Sequence, residues 1–114
     1  MDYVEFITKK FDEMKELFLA NNEQYGTGDP LANFRTAALM NSGEDSYEAM
    51  YEQAKAFCRK HIAHIENHGI DGVKVAESRG DNVVYNLIMM YMIEAWKAEQ
   101  AAKTPCDTSM AIEE

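Results

Sequence analysis

Two carboxylates one helical turn apart, in Glu77-Ser78-Arg79-Gly80-Asp81, are the residues of this sequence best placed to do chemistry. Residues four apart share a helix face. At about 100° per residue, Glu77 points within roughly 20° of the mean direction of Val84, Ile88, Tyr91 and Ala95, and Asp81 within roughly 60°. The pair is therefore predicted to extend a buried stripe at its N-terminal end. Buried carboxylates are costly unless paired or bound to metal. Such a pair suits Mg²⁺, which takes oxygen ligands and keeps waters to share with phosphates. The ordinary alternative is a helix end where Arg79 or a lysine neutralises Glu77.

Other groups are weighed the same way. Glu13 and Glu16 have a Glu-x-x-Glu spacing, but Glu16 lies roughly 160° from the apolar stripe of its helix and Glu13 about 100°, which reads as a solvated face. Lys10 falls near that stripe and can carry its ammonium to an anion at the core edge. His61, His64 and His68 share one flank, at spacings that seat zinc in other proteins. No cysteine or further histidine completes a set, so a hydrogen-bonded core His61 with two surface histidines is preferred. Lys60 and His61 together can face a phosphate. Tyr25-Gly26-Thr27-Gly28-Asp29, then Asn33-Phe34, can offer backbone N–H groups and a ring to a ligand, although such loops are also plain connectors.

The elements that must position these groups are all helical. The first runs from Asp2 to about Asn21, with Val4, Ile7, Phe11, Met14 and Phe18 on one stripe and a stop at Asn21-Asn22. Asp29-Pro30 starts a short second helix to about Asn41, burying Leu31, Phe34, Ala38 and, at its margin, Leu39. The third opens at Ser46 and runs to about Asn67, with Gly69 as a left-handed stop. The linker Ile70-Asp71-Gly72 is short, so the third and fourth helices should be antiparallel neighbours. The fourth runs from about Val73 to Ala102 with a break near Gly80, and between Val83 and Ile93 it is apolar nearly all round. A helix without a polar face is buried on every side. With so few helices to wrap it, a homo-oligomer (a dimer) is the economical cover, through Tyr85, Met89, Met92, Ile93 and Trp96. The expected fold is all-α: a compact antiparallel helical bundle of three long helices plus one short one, forming a single domain over residues 1–102, with a flexible tail over 103–114.

Composition bounds the partners. Twenty Asp and Glu against eleven Lys and Arg give a net charge of −9, so the basic excess that binds nucleic acid directly is missing. Cys58 and Cys106 read as free thiols. No leader precedes the first helix and no apolar run approaches the roughly 20 residues of a membrane span, so the expectation is a soluble, cytoplasmic protein. Most acidic residues read as a solubilising surface; the rest can hold cations or mimic a polyanion.

Some short motifs occur in a familiar order. The first helix ends in Phe18-Leu19-Ala20-Asn21-Asn22-Glu23-Gln24-Tyr25-Gly26, then comes Asn33-Phe34, then Lys60-His61, and finally Asp81-Asn82-Val83-Val84-Tyr85-Asn86-Leu87. This order resembles the nucleotide modification associated domains of phage and bacteria, which are similar to the all-α nucleoside triphosphate pyrophosphohydrolases. The pattern of those domains has a first helix leading to Lys-Asn-x-Asp-Tyr-Gly, then Asn-Phe, and a last helix with Asp followed by Tyr and an aliphatic run. Tyr25, Gly26, Asn33, Phe34, Asp81 and Tyr85 match it. Asn21 stands where the pattern has lysine, Gln24 where it has aspartate, and Glu77 and Asp81 are four apart rather than in the Glu-x-x-Asp spacing of the hydrolases. The resemblance implies nucleotide binding, or Mg²⁺-dependent hydrolysis with Glu77 and Asp81 on the metal, Lys10 or Lys60-His61 on phosphate, and Tyr25, Gly26, Asn33, Phe34 and Tyr85 around the nucleotide. Whether the chain is an enzyme is left open. The competing expectation is a non-enzymatic acidic protein, such as a phage-type inhibitor that covers a basic nucleic-acid-binding partner.

Overall fold

The computed structural model describes residues 2–25 and 29–103, with residues 21–25 described by backbone only. It is all-α: α1 is Tyr3–Tyr25, α2 Ala32–Ser42, α3 Tyr47–Glu66 and α4 Val75–Ala102. Three helices are long and one is short, as expected. By internal contacts the chain divides into two units, Met1–Asn33 and Phe34–Glu114. Gly26, Thr27, Gly28, the side chain of Tyr25 and the tail with Cys106 lie outside the described residues.

The first unit is essentially α1. Asp2 starts it: its Oδ2 accepts from the Glu5 N–H at 3.1 Å and its carbonyl from the Phe6 N–H at 2.9 Å. The helix continues through Asn21-Asn22 to Tyr25, because asparagine is only a modest helix breaker and no glycine or proline intervenes. Its stripe forms as the spacing requires, yet Val4, Ile7, Phe11 and Phe18 are exposed and Met14 is half-buried.

The second unit is organised by α3 and α4. The preceding α2 is led in by Asp29, whose Oδ1 accepts from the Leu31 N–H at 3.0 Å. Phe34 and Ala38 are buried, whereas Leu39, about 100° further round the helix, is exposed. Gly43 closes α2 at φ 80°, the left-handed region where a side chain is disfavoured. Ser46 caps α3, its hydroxyl accepting from the Ala49 N–H at 3.1 Å. The apolar residues Ala49, Met50, Ala54, Cys58 and Ile65 then turn inward.

The reversal between α3 and α4 departs from expectation. Asn67 ends α3 with ordinary backbone (φ −90°), and the left-handed residue is Lys74 (φ 64°), just before α4. The glycine the turn requires is Gly72 rather than Gly69: a Cβ at position 72 would lie 2.6 Å from the His68 Cβ. The α4 helix runs unbroken through Gly80. Trp96 meets Glu48, Asn82 meets Cys58 and Val73 meets His64, so positions descend along α4 as they ascend along α3, which makes the two helices antiparallel.

Between them lies the core: Met50, Ala54, Cys58 and Ile65 from α3, Ser78, Met89 and Met92 from α4, and Phe34 and Ala38 from α2. Here the expectation of a helix buried all round is corrected. One face of α4 is covered by its own chain, and a period of 3.6 leaves the opposite face, with Val83, Leu87, Met90 and Tyr91, exposed. Met89 and Met92, expected at a subunit interface, are core residues of the single chain. No helix among the described residues is long and apolar enough to cross a membrane.

Met92→Ala should therefore lower the unfolding free energy by about 2–5 kcal/mol, the usual cost of a cavity at a buried methionine. Met90→Ala, two positions away on the open face, should change it by no more than about 0.5 kcal/mol. Denaturant unfolding followed by circular dichroism measures both.

Candidate functional site

Two places in the second unit gather polar and aromatic chemistry. The first surrounds Tyr85. Its ring is met edge-on by Phe34 at 6.3 Å and at a tilt by Phe57 at 6.2 Å and the His61 imidazole at 5.7 Å, and Phe34 and Phe57 lie 5.6 Å apart. Tilted and edge-on contacts at these separations suit the ring quadrupoles. A polar margin adjoins the rings. His61 Nδ1 stands 3.6 Å from Asp81 Oδ2 and 3.5 Å from Ser78 Oγ, and the Cys58 thiol donates to Asn82 Oδ1 at 3.3 Å. Burial raises the Tyr85 phenol above its ordinary value of 10.0, and the neighbouring Asp81 adds to the shift, so the group stays a protonated donor.

Several residues expected at a site thus meet here: Phe34, His61, Asp81 and Tyr85, contributed by three helices. Others do not. Glu77 is exposed and forms no ion pair with another described residue, while the Asp81 side chain is 51% exposed and turns toward His61. The expected inward pair of carboxylates is therefore corrected. Its reference stripe (Val84, Ile88, Tyr91, Ala95) is not the buried face of α4. The buried face, through Ser78, Tyr85, Met89 and Met92, lies about 100° further round. Among the described residues no group of three or more His, Cys, Asp or Glu side chains is arranged to hold a metal ion. Two solvated carboxylates alone are a poor donor set for a resident Mg²⁺.

Lys10 pairs with Glu13 at 3.1 Å and sits 5.4 Å over the Phe6 ring. Glu16, Asn33 and Lys60 are exposed. His64 donates from Nε2 to the Val73 carbonyl at 2.8 Å, and His68 from Nδ1 to the His64 carbonyl at 2.7 Å, with their rings stacked 4.2 Å apart. These bonds fasten the turn into α4 and occupy one nitrogen of each ring. Tyr25 and Gly26 cannot be placed in the site, since the side chain of the one and the whole of the other fall outside the described residues.

The second place is a groove where the start of α3 crosses the end of α4. About 280 Å³ in volume, it is lined by Tyr47, Glu48, Tyr51, Glu52, Met92, Ile93 and Trp96. The Trp96 indole N–H donates to Glu48 Oε2 at 2.8 Å, and this bond is the main reason the Glu48 carboxyl ionises below its ordinary range. Lys55 pairs with Glu52 at 3.1 Å and lies 5.7 Å over the Tyr51 ring. Tyr47 is pushed above its ordinary value, first by burial and then by its hydrogen bond to Tyr91. The groove thus has an aromatic and aliphatic floor with carboxylates at its rim. Of these residues, Met92, Ile93 and Trp96 were expected at an interface. The others carried a signal in the pairs Tyr47/Tyr51 and Glu48/Glu52, each four apart on one helix face, but their meeting with Trp96 depends on helix register.

The chain matches no protein-family profile, no curated protein and no solved structure. Fold and geometry define its class directly: an all-α protein whose second unit is an antiparallel helical hairpin carrying an aromatic groove.

A proton titration of Glu48 checks the geometry of the groove. Because its folded-state value is depressed, its contribution to stability is present above the ordinary value of 4.5 and fades as pH falls through the folded value. Trp96→Phe should return the Glu48 midpoint toward 4.5, read by carboxyl chemical shifts.

Proposed function

We propose that this chain acts as a non-enzymatic interaction protein that receives a basic, amphipathic segment of another protein in the groove between α3 and α4. The carrying observation is the groove's composition. Tyr47 and Trp96 offer ring faces, Met92 and Ile93 apolar contact, and Glu48 negative charge at the rim, while at Glu52 and the Tyr51 ring an incoming cation would displace Lys55. Cations are attracted to aromatic faces, and Arg or Lys side chains add charge-assisted hydrogen bonds to carboxylates. A phosphate group entering the same groove would meet those carboxylates as like charges. Most of the net charge of −9 lies outside Phe34–Lys103, which holds ten acidic and eight basic residues, so the attraction of a basic partner to the groove rests on Glu48 and Glu52 at its rim. Such a protein, bound over a basic nucleic-acid-binding surface, would act as an inhibitor by occupancy.

Titration with a synthetic helical peptide bearing arginines on one face and leucines on the other tests this reading. Binding should weaken steeply as salt rises. Trp96→Ala should cost about 2 kcal/mol of binding free energy, the scale of an aromatic hot spot, with no comparable effect from Trp96→Tyr. Absence of binding, or salt-insensitive binding indifferent to Trp96, would count against it.

A second reading, nucleotide binding, is supported by a different observation: Phe34, His61, Asp81 and Tyr85 lie around a single phenol ring. In that reading His61, flanked by Asp81 and Ser78, donates to an oxygen of the nucleotide. It predicts a rise in thermal midpoint with some nucleotide, by mass action on the folded state, which is lost in His61→Ala. A panel of nucleotides giving no rise removes it.

A further inference from the structure

We infer that α4 pairs antiparallel with α4 of a second copy of this chain, along the face opposite the core. This inference goes beyond the proposed function, because the groove lies on another side of the helix. Ala76, Gly80, Val83, Leu87, Met90, Glu94 and Lys97 follow one another at alternating steps of four and three, the spacing of a two-helix seam. Val83 is 41% exposed, Leu87 56%, Met90 59% and the flanking Tyr91 56%, so the middle of the seam is an open apolar strip. Contiguous exposed apolar residues of this kind mark contact surfaces.

The charges along the seam choose the occupant and its direction. A parallel pair would bring Glu94 against Glu94 and Lys97 against Lys97, both repulsive. An antiparallel pair with its two-fold axis at Leu87 sets Val83 against the partner's Tyr91. It also sets Glu94 against the partner's Gly80, with the partner's Arg79 alongside. Arg79 is exposed and forms no ion pair with another described residue of its own chain, and Glu94 makes only an exposed contact with Lys97 at 3.8 Å. Both are free to exchange into a cross-helix pair. Opposite Glu94, Gly80 offers room: no atom of the chain lies within 4 Å of where its Cβ would be. Charge balance favours a second copy over a strongly charged partner at this face, since the stretch from Phe34 to Lys103 holds ten acidic and eight basic residues. By mass action the dimer is concentration-dependent.

Sedimentation equilibrium on the full chain, from low micromolar to near millimolar, tests this. The expected result is a monomer–dimer equilibrium. Leu87→Glu, which puts two carboxylates together at the axis, should leave a monomer with unchanged helicity, because Leu87 is exposed in the single chain. Arg79→Glu should weaken association by about tenfold or more through like charges, and Arg79→Glu combined with Glu94→Arg should restore it. A monomer at every concentration, a dimer indifferent to Leu87→Glu, or failure of the charge swap to rescue would each overturn the inference. None of these outcomes depends on whether the groove binds a basic peptide.

Discussion

Antiparallel contact between α3 and α4 is the constraint on which the second unit depends. Met50 and Met92, each 1% exposed, are the largest side chains wholly enclosed there. Methionine suits the position, since its flexible thioether fills gaps that branched side chains would leave. The contact fixes a register, and the register decides what else can meet. With Val73 at His64 and Trp96 at Glu48, the middle of the hairpin must bring His61 to Ser78 and Asp81, and Cys58 to Asn82. Both candidate sites follow from this one sliding coordinate.

The polar groups of the hairpin are satisfied with little to spare. Among the described residues no buried side-chain nitrogen or oxygen lacks a hydrogen-bond partner. Ser78, the one buried polar residue among the described residues, faces His61, and the buried Cys58 thiol has the Asn82 side-chain oxygen Oδ1 as acceptor. An unmatched polar group in such a core would cost more than its hydrogen bond contributes when made. These pairings therefore resist sliding of α4 past α3, and they keep the rings of Phe34, Phe57 and Tyr85 in one cluster.

Much of this was legible from residue types. Ser46 reads as a cap because its hydroxyl can take an N–H that the first turn leaves unpaired, and it does so. Asp29, the short link before α4 and the inward turn of Phe34 and Ala38 were equally plain. The failures have a common physical cause. Where a helix is apolar all round, hydrophobic periodicity carries no phase. The stripe through Val84, Ile88, Tyr91 and Ala95 is as regular as the one through Ser78, Tyr85, Met89 and Met92, and only the second is buried. That ambiguity misplaced Glu77, gave Met89 and Met92 to an interface, and hid Val83, Leu87 and Met90 as the open face. The groove was invisible for another reason: Trp96 and Glu48 are 48 residues apart, and their meeting is set by packing rather than by local sequence.

The single tryptophan makes the groove directly observable, because the indole N–H of Trp96 gives one resonance that no other side chain can mimic. Its chemical shift, followed as a basic amphipathic peptide and then nucleoside triphosphates are added, reads occupancy of the groove itself. A saturable shift with the peptide, together with shifts of the Tyr47 and Tyr51 rings and no movement with nucleotides, is the expected result. An indole signal unmoved by the peptide but displaced by a nucleotide would contradict the assignment of this groove to a protein partner.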